Sequence, residues 1–230
     1  PVGGSAIGSA SKRVIERAKE TAAELLESAV SDIEFDSGNF KIVGTDRAVN
    51  FQTVAETAAG DGSIAFDEKE TFTPEEATYP NGTHVCELEI DMATGQIELV
   101  DYTVVDDFGK VINPLLLEGQ VHGGIAQGLG QAMLEDCQYE SGSGQLLSAS
   151  FMDYTMPRAD DFPPIRFKRN EVPCQTNPLG IKGAGEAGAI GAPPAIVNAI
   201  VNALSDHGVR HVDMPVSPNR LWEIMQNVST

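Results

Sequence analysis

The sequence is poor in cysteine and in basic residues, and each shortage excludes classes of protein. Its three cysteines, Cys86, Cys137 and Cys174, are too far apart for a zinc or iron–sulfur motif. Their odd number also argues against a disulfide framework and fits a reducing cytoplasm. Lysine and arginine number 15 against 34 acidic residues, and the resulting net charge of −19 argues against nucleic acid or an anionic membrane as a partner.

Long apolar runs are absent too. No stretch reaches the roughly 18 apolar residues that a membrane helix needs, and the sequence contains no signal-peptide pattern, so we expect neither a membrane span nor secretion. The chain starts at Pro1 without methionine and enters a helical pattern almost at once, which predicts a piece of a longer polypeptide. Residues 61–76 carry six acids against one lysine, which predicts a solvated, mobile stretch.

Hydrophobic patterning predicts separate strands and helices. A helix is expected from Ser5 to about Val30, with Ser5 as N-cap and the N–H groups of Gly3 and Gly4 free to meet an anion. The later predictions are hairpins over 33–43 and 84–105, helices over 51–58, 113–135, 195–204 and 217–227, and strands at 137–140, 146–151 and 165–170. Together they predict an α+β fold with helices packed on mixed β-sheets, one lobe over 1–230 with a candidate subdivision near 105–115.

The helix predicted over 113–135 contains an unusual number of glycines, each costing on the order of 1 kcal/mol relative to alanine. They are Gly119, Gly123, Gly124, Gly128 and Gly130, and the side chains of Gln120, Gln127 and Gln131 align on one face. Two interpretations remain open. Either the helix packs backbone to backbone on a neighbour, or its small residues admit a flat ligand whose polar rim the amides bind.

Residues 183–194 surround one carboxylate, Glu186, with four glycines and four alanines. Such a loop orders at a high entropic cost, which makes sense where backbone approaches a ligand closely; the alternative is a tight turn with a solvated glutamate. The spacing of Gly183, Gly185 and Gly188 also matches the dinucleotide fingerprint. That fingerprint follows an apolar strand, whereas Pro178 stands where the strand is required, which disfavours a nicotinamide or flavin site.

Four motifs in a fixed order resemble one family. They are Asp106-Asp-Phe-Gly-Lys-Val-Ile-Asn-Pro114, Glu118-Gly-Gln-Val-His-Gly-Gly-Ile-Ala-Gln-Gly128, Ser150-Phe-Met-Asp-Tyr-Thr-Met-Pro157 and Gly183-Ala-Gly-Glu-Ala-Gly188. The combination resembles the C-terminal part of the large, molybdenum-binding subunit of the molybdenum hydroxylases. This family includes xanthine dehydrogenase, aldehyde oxidoreductase and aerobic carbon monoxide dehydrogenase, and the Val-His-Gly-Gly wording looks most like the last.

The resemblance implies a cofactor and roles for individual residues. Glu186 would be the active-site glutamate beside the molybdenum, which acts as a base in hydroxylating members. Gln120 would contact the pterin of molybdopterin cytosine dinucleotide, and Gly4, Ser5 and Gly185 would contact the cofactor's phosphates or pterin. The pterin dithiolene would hold the metal, so no protein metal ligand is expected.

The resemblance also implies partners. These are the remainder of the large subunit, iron–sulfur and FAD subunits or domains that remove electrons, and a small-molecule substrate that these residues do not identify. We expect the isolated chain to be inactive. Ala187 departs from the family, many of whose members have proline after the glutamate, and His122 is expected to be packed or exposed rather than in the site. The rival from another class is a non-catalytic assembly module, in which the glycine helix only packs and the Glu186 loop only turns.

Overall fold

The computed structural model of the chain describes residues 1–60 and 65–228 and divides into two compact units. The first unit is Pro1–Glu76 with Thr176–Leu179, and the second is Ala77–Gln175 with Gly180–Thr230. Within the described ranges, no helix has the length and apolarity that crossing a membrane requires.

The first unit packs two helices on a small antiparallel sheet. Its elements are α1 (Val2–Leu26), β1 (Ile33–Asp36), β2 (Asn39–Ile42), β3 (Ala48–Asn50) and α2 (Phe51–Ala59), with strand order β1-β2-β3. Ala18 and Ala22 on α1 are fully buried in one core with Phe40 and Val54. The rings of Phe35 and Phe51 pack against the same core, so alanines of the helix meet aromatic side chains there.

Helix α1 begins earlier than the sequence predicts, at Val2, so Ser5 is not its N-cap. Ser5 lies in the first turn and donates its backbone N–H to the carbonyl of Pro1 at 2.9 Å. A Cβ on Gly4 would lie 3.2 Å from a methyl group of Leu179, within the same unit. Tertiary packing therefore outweighs the low helix propensity of Gly3 and Gly4, the two glycines before Ser5.

The first four residues of the acidic segment 61–76 lie outside the described chain. Its described part, residues 65–76, contacts α1 through ion pairs. Arg17 donates to Glu68 at 2.6 Å, and Arg13 pairs with Glu70. The side chains of Glu68 and Glu70 are only 17% and 22% exposed. The expectation of a solvated stretch therefore does not hold for Glu68 and Glu70, which pair with arginines of α1, whereas residues 73–76 are exposed as expected.

The second unit is a mixed sheet covered by helices. Its elements are β4 (Asn81–Ile90), β5 (Ile97–Asp107), α3 (Pro114–Leu129), β6 (Ile165–Arg169), α4 (Ala187–Ala203) and α5 (Pro218–Val228). Central β5 pairs antiparallel with β4 and parallel with β6. The predicted α+β class, with helices on mixed sheets, is confirmed.

The core of the second unit lies between the sheet and helices α3 and α4. Tyr102 and Val104 of β5 are fully buried against Val121 and Ile125 of α3 and Ile196 of α4. Burying each such side chain contributes roughly 1.5–3 kcal/mol. Strand β5 and helix α3 thus share one core, and the chain divides at 76/77 rather than near 105–115.

Helix α3 is the element that the sequence predicts best. The side chain of Asn113 caps it by accepting from the N–H of Leu116 at 3.1 Å, and Pro114 occupies the first turn. The helix ends in a π-helical turn, Gly130–Leu134, in which the N–H of Glu135 donates to the carbonyl of Gly130 at 2.7 Å. The predicted end near Glu135 therefore holds.

Helix α4 begins at Ala187, eight residues before the predicted start, and carries Pro193 and Pro194 in its interior rather than in its first turn. Each proline removes one backbone hydrogen-bond donor, and proline is normally disfavoured in the interior of a helix. Here Pro193 is buried against α3, where a Cβ on Gly128 would lie 2.8 Å from its Cδ. A helix–helix contact that local sequence does not reveal thus outweighs the proline penalty.

Of the three strands predicted after α3, only β6 forms. Residues 137–151 contain a single isolated bridge between Tyr139 and Leu146. Glu140 accepts from both the N–H and the hydroxyl of Ser143, which closes a local turn. The N–H of Glu140 also donates to the carbonyl of Gln145 at 2.8 Å, so this turn joins the two halves of a short hairpin that has one bridge.

Candidate functional site

Gln120 and the Glu186 loop, 65 residues apart in sequence, meet in the second unit. The side-chain amide of Gln120 donates to the backbone carbonyl of Gly185 at 2.7 Å. Glu186 follows as the N-cap residue of α4, and its backbone carbonyl accepts from Ile190 at 2.9 Å. Its side chain is exposed and makes no capping hydrogen bond in the described chain. One peptide unit therefore separates the contact of Gln120 from the carboxylate.

Close contact between helices α3 and α4 fixes the start of α4. A Cβ on Gly188 would lie 2.5 Å from the carbonyl oxygen of Val121, and one on Gly124 would lie 2.9 Å from the backbone nitrogen of Ala189. Only glycine permits this approach at either position. Because Gly188 is two residues after Glu186, this contact also sets where the carboxylate lies relative to α3.

The glycines of α3 serve two different faces. Gly124 and Gly128 meet α4, where a Cβ on Gly128 would lie 2.7 Å from that of Ala192. No described atom lies within 4 Å of the position that a Cβ would take on Gly119 or Gly123. One face of the glycine helix thus packs on α4, as the first interpretation predicts. The other face is open beside Gln120, and there the ligand-binding interpretation stays a prediction.

A buried ion pair anchors the loop at its other end. The ammonium of Lys182 lies 2.5 Å from the carboxylate of Asp107, and the two side chains are 14% and 8% exposed. The second oxygen of Asp107 accepts from the N–H groups of Gly109 at 2.8 Å and Val172 at 3.1 Å. Burial raises the pKa of Asp107, but the Lys182 bond and the two backbone donors lower it further, so the net pKa lies below its ordinary value.

Backbone bonds reinforce this anchor. The N–H of Lys182 donates to the carbonyl of Phe108 at 2.9 Å, and the N–H of Lys110 donates to that of Gly180 at 2.8 Å. Gly109 has a φ of 65°, and a Cβ there would lie 2.3 Å from the carbonyl oxygen of Gly180. The segment leading to Glu186 is therefore tied to the end of β5.

Sequence reasoning missed Asp107 and Lys182 as parts of the site. Asp107 lies in the first of the four family motifs, and Lys182 directly precedes the glycine-rich run. The sequence shows a single lysine beside the glycine-rich loop, which could have indicated an ion pair. Its partner, Asp107, is 75 residues away in sequence. Only the fold reveals that pairing.

Gly4 and Ser5, the remaining predicted cofactor contacts, belong to the first unit. Ser5 is fully buried, and its hydroxyl has no hydrogen-bond partner among the described residues. His122 of α3 is half-buried, and its Nε2 likewise has no partner there. Across the described ranges, no group of three or more His, Cys, Asp or Glu side chains is arranged to hold a metal ion.

The structure gives no support to a dinucleotide site at Gly183. The last strand before it, β6, ends at Arg169, and in the described chain only an isolated bridge at Ile181 intervenes. A dinucleotide fingerprint needs a strand directly before its first glycine. The glycine loop leads into a helix without that strand.

Comparison with known proteins gives concordant matches. Residues 1–163 match the family model described as the molybdopterin cofactor-binding domain. The chain is 32% identical to the carbon monoxide dehydrogenase large chain of Hydrogenophaga pseudoflava, covering 98% of this chain and 29% of that protein. It is 34% identical to the 6-hydroxypseudooxynicotine dehydrogenase complex subunit gamma of Paenarthrobacter nicotinovorans, with the same coverage.

Solved structures agree with the sequence matches. The reconstituted carbon monoxide dehydrogenase from Oligotropha carboxidovorans is similar with a TM-score of 0.89 and 30% identity, over 98% of this chain and 29% of that one. The chain thus spans less than a third of the length of these relatives. It belongs to the molybdenum hydroxylase family and matches the C-terminal, molybdopterin-binding part of that family's large subunit.

Proposed function

We propose that this chain is the C-terminal lobe of the large subunit of a molybdenum-dependent oxidoreductase, and that Glu186 is its active-site carboxylate. The observation that carries the proposal is the bond from Gln120 to Gly185, directly beside Glu186 and next to the open face at Gly119 and Gly123. A flat ligand on that face would meet an amide and a carboxylate together.

The residues fit molybdopterin cytosine dinucleotide as the cofactor. Gln120 uses one amide hydrogen on Gly185, which leaves a second hydrogen and its Oε1 for the pterin rim. The backbone at Gly185 is exposed. Ser5 carries a buried hydroxyl with no partner in the described part of the chain, a situation that costs about 1–3 kcal/mol and that a cofactor oxygen would relieve. Gly4, beside Ser5, would bind the same part of the cofactor.

The chemistry divides between the cofactor and the protein. When bound, the molybdenum cofactor supplies the two-electron oxidation of the substrate. Glu186 would accept a proton at its carboxylate, which is exposed and makes no capping bond among the described residues. Gln120 orients the loop by holding the carbonyl of Gly185.

The electrons released would pass to iron–sulfur and FAD subunits, and the remainder of the large subunit would complete the cofactor and substrate site. The names of the relatives, a "large chain" and a "complex subunit", support an assembly of this kind. The substrate is a small molecule, and the expected location is the cytoplasm.

The experiment that tests the proposal compares two glutamine variants in the full-length protein that carries this chain. Gln120→Ala should lower molybdenum and pterin content or turnover, because it leaves buried polar atoms of the cofactor unpaired at about 1–3 kcal/mol. Gln226→Ala removes an exposed glutamine from α5, away from the glutamine face of α3, and serves as the control. Unchanged cofactor content, turnover and melting temperature in Gln120→Ala would favour the rival, a non-catalytic assembly module.

A further inference from the structure

Three polar side chains interrupt the apolar face of the sheet that packs on α4. In the register of β4 and β5, His84 lies opposite Val104, diagonally between Tyr102 and Asp106. The Nδ1 of His84 lies 2.8 Å from the hydroxyl of Tyr102, and its Nε2 lies 3.6 Å from Oδ1 of Asp106. The imidazole therefore makes one hydrogen bond, to Tyr102, and lies beside the carboxylate of Asp106 at a distance too long for a second.

This cluster is buried. The side chains of His84 and Asp106 are 7% and 3% exposed, and Tyr102 is fully buried. The Oδ2 of Asp106 is buried without a partner in the described part of the chain. Each such group costs about 1–3 kcal/mol unless it is hydrogen-bonded, a cost that apolar residues at these positions would avoid. The cluster is therefore not explained by packing stability alone.

The backbone of α4 rests directly on the imidazole. A Cβ on Gly191 would lie 2.5 Å from Nε2 of His84 and 2.6 Å from its Cδ2 and Cε1. On the other side, Gly82 leaves room for the carboxylate of Asp106, because a Cβ there would lie within bonding distance of it. The fit between α4 and β4 thus depends on the ring of His84 and on a glycine facing it.

The same place opens toward the start of α4. A small cavity of about 150 Å³ is lined by His84, Asp106, Gly191, Ile190 and Ala187. Ala187 is the residue directly after the carboxylate that we assign to the site. The ring of His84 and the first turn of α4 therefore both line this cavity. The ring occupies the space between α4 and the sheet, which keeps the helix from lying closer to the sheet.

We propose that His84, hydrogen-bonded to Tyr102 and adjacent to Asp106, is a positioning residue that sets the height of α4 above the sheet and thereby the position of the Glu186 carboxylate. This inference rests on the function proposed for Glu186. Gly191 lies five residues beyond Glu186, about 7.5 Å along the helix axis. A shift of α4 at Gly191 therefore moves the carboxylate by a similar amount, and a misplacement of about 1 Å can cost roughly 100-fold in rate.

The first test replaces the ring in the full-length, cofactor-loaded protein. His84→Ala should lower kcat at least about tenfold while KM changes little, and hydrogen–deuterium exchange over 187–191 should become faster. Tyr102→Phe is the milder variant, since it removes only the hydroxyl that holds the ring and keeps the packing; it should shift kcat in the same direction. The control is His211→Ala, which removes an exposed histidine that pairs with Asp213 at 2.9 Å.

The second test uses the steric contact. Gly191→Ala forces a methyl group into the ring of His84 and should lower kcat about tenfold or more in the wild-type background. In the His84→Ala background the ring is gone, so the same substitution should cost less than about twofold. Additive effects of the two substitutions, or wild-type exchange over 187–191 in both single variants, would overturn the proposal.

A parallel Glu186→Gln variant separates the two ideas. If Glu186→Gln retains wild-type turnover, the function proposed for Glu186 is wrong, while exchange over 187–191 still reports whether His84 holds α4. If Glu186→Gln is inactive and the His84 and Gly191 effects are additive, only the positioning role is wrong. Molybdenum content measured on every sample excludes cofactor loss as the cause.

Discussion

Replacing Glu186 by glutamine is the most direct perturbation of the proposed site. The change keeps the shape of the side chain and removes its ability to accept a proton. A general base contributes typically about 100- to 10,000-fold, so turnover should fall by that factor, which corresponds to roughly 2.7–5.4 kcal/mol of transition-state stabilisation. The magnitude refers to the chemical step and not to substrate binding.

The structure also predicts what Glu186→Gln leaves intact. The carboxylate is exposed and makes no capping bond within the described residues, so glutamine loses no contact there. The backbone carbonyl keeps its bond to Ile190, and Gln120 keeps its bond to Gly185. The free energy of unfolding should therefore change by less than about 0.5 kcal/mol, the range of ordinary surface substitutions.

The assay is the reductive half-reaction of the full-length protein, followed by rapid mixing, with molybdenum measured on the same sample. Glu223→Gln, an exposed glutamate on α5, is the matched control and should behave as wild type. Wild-type turnover of Glu186→Gln at full molybdenum content would refute the assignment of Glu186. Loss of molybdenum would show instead that the carboxylate supports cofactor binding.

Three further predictions concern the chain itself. Purified alone, the 230-residue chain should contain little or no molybdenum by mass spectrometry; stoichiometric metal would contradict the need for the rest of the subunit. Despite burial, the bonds from Lys182 and two backbone donors hold the pKa of Asp107 below its ordinary 3.8, so its contribution to stability is complete above about pH 4 and is lost as pH falls through the lowered pKa. Asp107→Asn should flatten that acid limb in denaturant melts at several pH values and cost about 3–5 kcal/mol at neutral pH, because Lys182 stays buried without its partner. Burial, with a smaller effect of the Asp101 charge, raises the pKa of Cys86 from 9.0 to about 11. Unfolding should therefore become easier between pH 9 and 11, and Cys86→Ala should remove that part of the pH dependence.

Local signals in the sequence were enough to predict several elements. The β4–β5 hairpin follows from alternation around a turn in which the side chain of Asp91 accepts from the N–H of Ala93 at 2.8 Å. The start of α3 follows from Asn113 and Pro114, whose capping roles need no distant partner. These features depend on residues within a few positions of one another, which is what a single sequence records.

The starts of α1 and α4 could not be predicted in the same way. Both contain glycines that propensity counts against a helix, and in both a glycine packs against a neighbour that is distant in sequence. For α1 the neighbour is Leu179, and for α4 it is Val121, whose carbonyl faces Gly188. Glu186 was predicted as a candidate site residue from its glycine-rich surroundings and the family resemblance, but its placement depends on these contacts.

The scaffold around Glu186 separates positioning from chemistry. Gln120 holds the residue before it, the Gly124–Gly188 contact holds the helix after it, and the pair of Lys182 with Asp107 holds the loop that leads to it. The carboxylate itself is not committed to any capping bond among the described residues. A catalytic base needs this combination, since its position must be fixed while its proton-accepting oxygens stay available.

Two kinds of variant should therefore differ in kinetics. Gly188→Ala disturbs the contact between α3 and α4, because the added methyl group overpacks against Val121. It should displace the carboxylate and cost roughly 1–3 kcal/mol of stability. The pH–rate profile should keep its shape, because the base is still present. Glu186→Gln should keep the free energy of unfolding of the wild type. It should lose the limb of the pH–rate profile that depends on the ionisation of the base. If both variants lost the same limb of the pH–rate profile and had equal free energies of unfolding, positioning and proton transfer would not be separate roles. The pH dependence would then belong to the loop as a whole.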